Sequence, residues 1–242
     1  MMYAVGNDVL NTKEWKIYSF MITDKIDREE RKDLSIACIA LALAFTLVFI
    51  RGGWDTWTDL VFIFVLSVIT VGAAFILHEM AHKFTAMKFG YYAAFRKDNG
   101  MLLMGVALAA LVGVVFAAPG ATVIYSQAGH EMTKRENGII SVAGPAVNLC
   151  LGVLFFVIII AGFAVQLVPV VIIGTMGLSV NGMIGFFNML PISVLDGKKV
   201  LAWNPVVFAV LIVLLLGMVL FATNYGGVMN TVIMAITAIF GW

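Results

Sequence analysis

Long apolar runs dominate this chain and limit what it can become. They lie at residues 34–50, about 60–82, 101–118, about 145–165, 171–195, 205–223 and 228–242. A bilayer-crossing helix needs about 20 apolar residues, with a range of about 17 to 25. Six of the runs suit such helices, the last being short. Run 101–118 is broken by Gly105 and Gly113 and stops at Pro119-Gly120. Only 12% of the 242 residues are charged and 62% are hydrophobic, whereas soluble domains are about a quarter charged. The expected fold is therefore an all-α polytopic membrane protein, with the lipid bilayer as its surroundings. A net charge of +1 offers no electrostatic case for nucleic acid as a partner. Cys38 and Cys150 both fall in apolar runs and read as buried free thiols, not as a disulfide framework.

Residues 1–33 are polar and mixed in charge. They read as an aqueous N-terminal extension, too short for a separate regulatory domain and without the early apolar core of a secretory signal. Residues 34–242 then form a single membrane domain. Asp24 or Asp27 can cap a short polar turn or helix just before the first span, and Arg51-Gly52-Gly53-Trp54 ends that span, with Trp57 marking the same interface. Residues 122–125 are β-prone, and Gly138-Ile139-Ile140-Ser141-Val142 also reads as a strand.

The basic residues orient the spans. If run 101–118 dips into the membrane and returns on the same side, every Lys and Arg except Arg51 falls on one face, and the positive-inside rule makes that face cytoplasmic. A full crossing breaks this pattern. The segment is thus expected to be re-entrant, interfacial or part of a hairpin, leaving six spanning helices with both termini in the cytoplasm. Short β-strands are expected between the second and third helices.

Against this background His78-Glu79-Met80-Ala81-His82 stands out, because it closes an apolar run and contains two of only three histidines. On a helix, residues four apart share a face, so both imidazoles can bind one metal ion with Glu79 beside it. Ionisable groups within a span cost from about 2.5 kcal/mol each on insertion scales, so the cluster needs compensation, which a metal supplies. Catalytic zinc usually takes three protein ligands and keeps a position for water. Asp98, His130, Glu131 and Glu136 lie in polar loops among lysines and arginines, where a solvated face is the plain explanation. Asp196 closes the apolar run 171–195 on the same membrane face as His82. Pro191 breaks the helix before it, and the bend can turn Asp196 toward the metal.

The segment Asn188-Met189-Leu190-Pro191-Ile192-Ser193-Val194-Leu195-Asp196-Gly197, taken with His78–His82, resembles the site-2 protease family of intramembrane zinc metalloproteases. That family joins a membrane-embedded His-Glu-x-x-His to a distant Asn-x-x-Pro-x-x-x-x-Asp-Gly, and Ala143-Gly144-Pro145-Ala146-Val147-Asn148 is similar to the Ala-Gly-Pro segment between them. The resemblance covers roughly residues 60–200, the expected catalytic core. It implies that His78, His82 and Asp196 bind one Zn²⁺ and that Glu79 is the general base. It offers Asn188 as a stabiliser of the developing oxyanion and places Asn148 near the substrate path; packing between helices explains either asparagine equally well.

The resemblance further implies a transmembrane protein as substrate, cut within its spanning segment at a site toward the cytoplasmic face. Such a helix must unwind before attack, and the strand-like segments 122–125 and 139–142 offer an edge to which it can add. Two features depart from the family pattern. The segment between the motifs carries the extra apolar block 101–118, and Lys198 stands where many relatives have a second glycine. A membrane metal-ion or proton transporter is the competing class, because buried His, Glu and Asp also mark ion pathways. It would need a second polar cluster, and runs 34–50 and 205–223 contain no ionisable residue. A glutamate-liganded membrane protease is disfavoured, since no glutamate follows Glu136, and nothing demands an inactive scaffold.

Overall fold

The computed structural model describes residues 26–52, 56–115, 119–126, 131–192 and 194–224. The expected final span, 228–242, most of the N-terminal extension, and His130 lie outside the described residues. Among the described residues five helices are long and apolar enough to cross a membrane, so the chain is an all-α multi-pass membrane protein.

Helix α1 (Arg28–Phe49) begins where Asp27 accepts the Glu30 amide at 2.6 Å. The polar turn before the first span is therefore the first part of that same helix. Helix α2 (Trp57–Val71) starts at a capping box in which Thr56 and Asp59 satisfy each other's backbone amides. It continues through a π-turn, Gly72–Ile76, into α3 (Leu77–Lys88), which carries the histidines. Strand β1 (Tyr92–Lys97) follows, then α4 (Asn99–Val112), strand β2 (Gly120–Tyr125), α5 (Lys134–Ala164) and α6 (Val168–Asn188). A short α7 (Asp196–Trp203) and α8 (Pro205–Thr223) complete the described fold.

Much of the outer surface is apolar. Val61, Phe62, Val65 and Ile69 on α2, Val153, Leu154, Val157 and Ile160 on α5, and Val206, Val210 and Val213 on α8 are all exposed. Helices that are apolar on both faces are those of a membrane span. One buried cluster joins α1 (Leu34, Leu41, Phe45) to the π-turn (Ala74, Phe75), α6 (Val180, Ile184) and β1 (Phe95).

The segment between the motifs leaves and returns to one place. β1 and β2 pair antiparallel with Lys97 opposite Gly120, and the Asp98 amide donates to Pro119 O at 3.0 Å. Helix α4, capped by Asp98 at the Met101 amide, leaves that point beside α1. At its far end Arg51 donates to Ala110 O at 2.5 Å and Ala109 O at 3.4 Å. Arg51, just past the end of α1, thus satisfies Ala110 O in the last turn of α4 and shares Ala109 O with the Gly113 amide. The excursion therefore begins and ends at the β1–β2 pair.

Several expectations need correction. Residues 138–142 are helical, not a strand: Thr133 and Glu136 form a capping box that starts α5 well before them, and a helix satisfies its own backbone at membrane depth. The helix over run 145–165 starts earlier, at Lys134, so that Pro145 lies inside α5. The run 171–195 is not one helix, since α6 stops at Asn188 and Asp196 begins α7. Cys38 is buried as expected, but Cys150 is exposed.

Candidate active site

Helix α3 turns both histidines toward α5 and α7. His78 Nε2 and His82 Nε2 lie 3.0 Å apart, and Asp196 Oδ2 is 3.4 Å from the first and 2.9 Å from the second. All three residues are buried, and the three ligand atoms lie within 4.8 Å of one another. Two imidazole nitrogens and a carboxylate oxygen form a donor set that suits zinc, whose catalytic sites usually combine three protein ligands with one water. The close approach of two ring nitrogens is what a shared ion makes favourable. The third wall is backbone: a methyl group on Gly144 of α5 would lie 2.6 Å from both Cε1 and Nε2 of His78. Only a residue without Cβ lets the helix pass this close to the rings.

The other ring nitrogens are fixed by partners. His82 Nδ1 lies 2.8 Å from Ile140 O, so it donates and leaves Nε2 as the lone pair. His78 Nδ1 lies 2.5 Å from Asn148 Oδ1. Asn148 is fixed in turn, because its amide donates to Ala74 O at 3.1 Å and to Asn181 Oδ1 at 3.0 Å, while Asn181 donates to Gly177 O at 2.8 Å. With every donor assigned along this chain, Asn148 Oδ1 must accept and His78 Nδ1 must carry the proton. The π-turn supplies Ala74 O, in keeping with the frequent placement of such turns at functional sites. Asn148 is wholly buried behind His78, which separates it from the cleft where a substrate would lie.

That cleft is lined by Glu79, His82, Thr122, Asn188 and Asp196, with Arg96 and Lys97 toward β1. Glu79 is buried, and Thr122 Oγ1 of β2 donates to its Oε2 at 2.7 Å. Asn188 lines the cleft, while its amide donates within its own helix to Ile184 O at 3.0 Å. Asp196 reaches the site because the chain breaks at Pro191. Gly197 lies against Leu190 O, where a methyl would stand 2.8 Å away, and Lys199 donates to Val194 O at 3.0 Å. Lys199 Nζ is also 3.8 Å from Asp196 Oδ1.

A protein of Methanocaldococcus jannaschii with the name "Putative zinc metalloprotease MJ0611" is 36% identical to this chain over 197 residues, which is 81% of this chain and 96% of that protein. The chain belongs to the site-2 protease family. Two further relatives bear the same kind of name. Rip2 of Mycolicibacterium smegmatis is 37% identical over 114 residues (41% of this chain, 42% of Rip2), and YwhC of Bacillus subtilis is 25% identical over 150 residues (55% of this chain, 66% of YwhC). No family model and no solved structure matches. This site-2 protease family member is a metalloprotease, and its cofactor is zinc.

The structure lines one cleft with Glu79, His82, Asp196 and Asn188, sets His78 behind it against His82 and Asp196, and leaves Asn148 outside it. Sequence reasoning missed the roles of Gly144, Asn181, Thr122 and a buried ion pair. In that pair Lys83, the residue after His82, meets Glu30 of α1, whose second oxygen accepts the Phe95 amide at 3.0 Å. Asn181 carried a usable signal, because an amide within an apolar run needs a partner. Glu30 and Lys83 carried none, since each sits among other charges in the sequence.

Proposed function

We propose that this metalloprotease cuts the transmembrane segments of other membrane-anchored proteins, with its catalytic site open toward the cytoplasmic side. His78, His82 and Asp196 hold the zinc ion. Zinc bound there supplies a Lewis acid that acidifies water and polarises a peptide carbonyl. Glu79 takes the proton from the attacking water and passes it to the leaving amide nitrogen. Asn188 stands at the cleft as a donor for the developing oxyanion, once its amide turns from Ile184 O. Asn148 orients His78, a role its burial favours over substrate contact.

The observation that carries this reading is the placement of a buried base, the ligand cluster of His78, His82 and Asp196, and strand β2 around one cleft. The Asp98–Pro119 bond makes 98/119 a hydrogen-bonded pair, so alternation along the sheet directs the backbone groups of Ala121 and Val123 toward β1. Those of Gly120, Thr122 and Ile124 then face away from β1. The opposite edge of the sheet is covered, since the Phe95 and Lys97 amides donate to Glu30 and Asp33 of α1. An unwound substrate is proposed to add along the outer edge of β2, its backbone pairing there while the scissile carbonyl reaches the metal. Segment 139–142 has no part in this, being helical.

The test uses purified enzyme in liposomes with a single-span reporter whose apolar segment contains a helix-weakening Asn-Pro pair. Wild type should contain one zinc per chain and cleave the reporter. Glu79→Gln should keep the zinc and lose at least about 100-fold in rate. Cleavage that survives in Glu79→Gln would remove the base assignment.

A further inference from the structure

Thr122 connects strand β2 to the base. The residue is 1% exposed and its hydroxyl donates to Glu79 Oε2 at 2.7 Å, with Glu79 O a second acceptor at 3.4 Å. Its backbone belongs to the β2 edge that faces away from β1. One residue therefore touches both the proposed base and the proposed docking strand. We infer that Thr122 is a positioning residue that holds the Glu79 carboxylate in its proton-accepting orientation and ties that orientation to substrate seated on β2.

The physical case starts from the freedom of a glutamate. Its terminal torsion is broad, so a carboxylate without a partner samples many orientations. A buried hydroxyl donor selects one. The bond occupies Oε2 and leaves Oε1 to receive the proton from water. The donor itself is held firmly: Thr122 faces Phe95 in the sheet register, and β1 is anchored to α1 through Glu30. Glu30 also pairs with Lys83 on α3, the helix of Glu79. The strand and the metal-binding helix thus share one buried anchor, which fixes their distance. Nothing in the local sequence signals this, because 43 residues separate the partners.

The inference also gives the apolar excursion a purpose. Run 101–118, the main departure from the family pattern, returns the chain to the Asp98–Pro119 closure, and Thr122 follows three residues later. Without that return, β2 would not deliver a hydroxyl to Glu79.

This inference rests on reading Glu79 as the base, so its test is run beside Glu79→Gln with the same liposome reporter. Thr122→Val keeps a β-branched side chain suited to a strand and leaves the backbone edge intact, removing only the hydroxyl. Misplacing a catalytic group by about 1 Å costs on the order of 100-fold. Thr122→Val should therefore lower kcat about 10- to 100-fold, with KM within threefold, zinc content unchanged and thermal stability retained. Thr122→Ser, which restores a donor, should return kcat to within about threefold of wild type. The inference is overturned if Thr122→Val matches wild-type kcat while Glu79→Gln is inactive. It is also overturned if the serine variant is as slow as valine, or if the loss in Thr122→Val tracks lost zinc or lost stability. If Glu79→Gln cleaves normally, the functional reading itself fails, and the two failures are told apart by that single control.

Discussion

Replacing Gly144 with alanine should abolish zinc binding while leaving the helix that carries it intact. An added methyl would lie 2.6 Å from His78 Nε2 and Cε1, short of ordinary contact at 3.4 Å by about 0.8 Å. Metal–ligand distances tolerate only about 0.2 Å, so the rings cannot move aside and still meet one ion. Loss of a group that merely orients a ligand costs about 10- to 100-fold in affinity. Displacing the ligands themselves should exceed 100-fold. The usual effect of this substitution has the opposite sign, because glycine in a helix interior costs about 0.5–1 kcal/mol relative to alanine. Gly217 in α8 supplies the control, since a Cβ there meets nothing within 4 Å. Gly217→Ala should therefore keep full zinc affinity and melt at or slightly above the wild-type temperature. Competition against a chromophoric chelator reads the affinity, and circular dichroism reads the helix content. Wild-type zinc affinity in Gly144→Ala would refute the account of the third wall.

Three further outcomes follow from the buried polar contacts. Lys83→Met should destabilise the protein by about 3–5 kcal/mol, because it leaves Glu30 buried without its cation, and Glu30→Leu added to it should recover much of the loss; thermal unfolding in detergent measures both. Asn181→Leu removes the acceptor that fixes Asn148, and zinc affinity should fall about 10-fold by the same chelator assay. Asp27 sits at the start of α1; burial opposes its charge, but the Glu30 amide and the Arg96 guanidinium hold its carboxyl below the ordinary 3.8. A depressed acid stabilises above its unfolded pKa and loses that contribution as pH falls through the folded value. The melting-temperature advantage of wild type over Asp27→Asn should thus be full at neutral pH and shrink below pH about 4.

The spans were legible because hydropathy reports burial in lipid directly, and α8 (Pro205–Thr223) has the bounds its apolar run gives. The start of α5 was not, because β-branched residues 139–142 imitate a strand while the capping box that decides the matter lies upstream at Thr133 and Glu136. β1 escaped notice for a different reason. Tyr92–Lys97 has no clean alternation, and it is a strand because β2 pairs with it and α1 carboxylates cover its other edge. At the site, His78, Glu79, His82 and Asp196 were readable from residue type, spacing and the scarcity of acids in apolar sequence. Asn148 was legible only as a residue near the substrate path or a helix-packing amide; its place behind His78 depends on a hydrogen-bond chain through α6 that no local pattern reveals. The contacts of Gly144 with His78 and of Thr122 with Glu79 were unreadable for the same reason, since more than 40 positions separate each pair.

The central claim is that this site-2 protease family member cuts a peptide bond at membrane depth. Mass spectrometry of both reporter fragments, released in liposomes by zinc-loaded wild-type enzyme, tests it most directly. The account predicts new termini inside the apolar segment, absent with Glu79→Gln and after chelation, and restored by added zinc. Termini confined to the polar flanks, or release that persists after chelation, would contradict it.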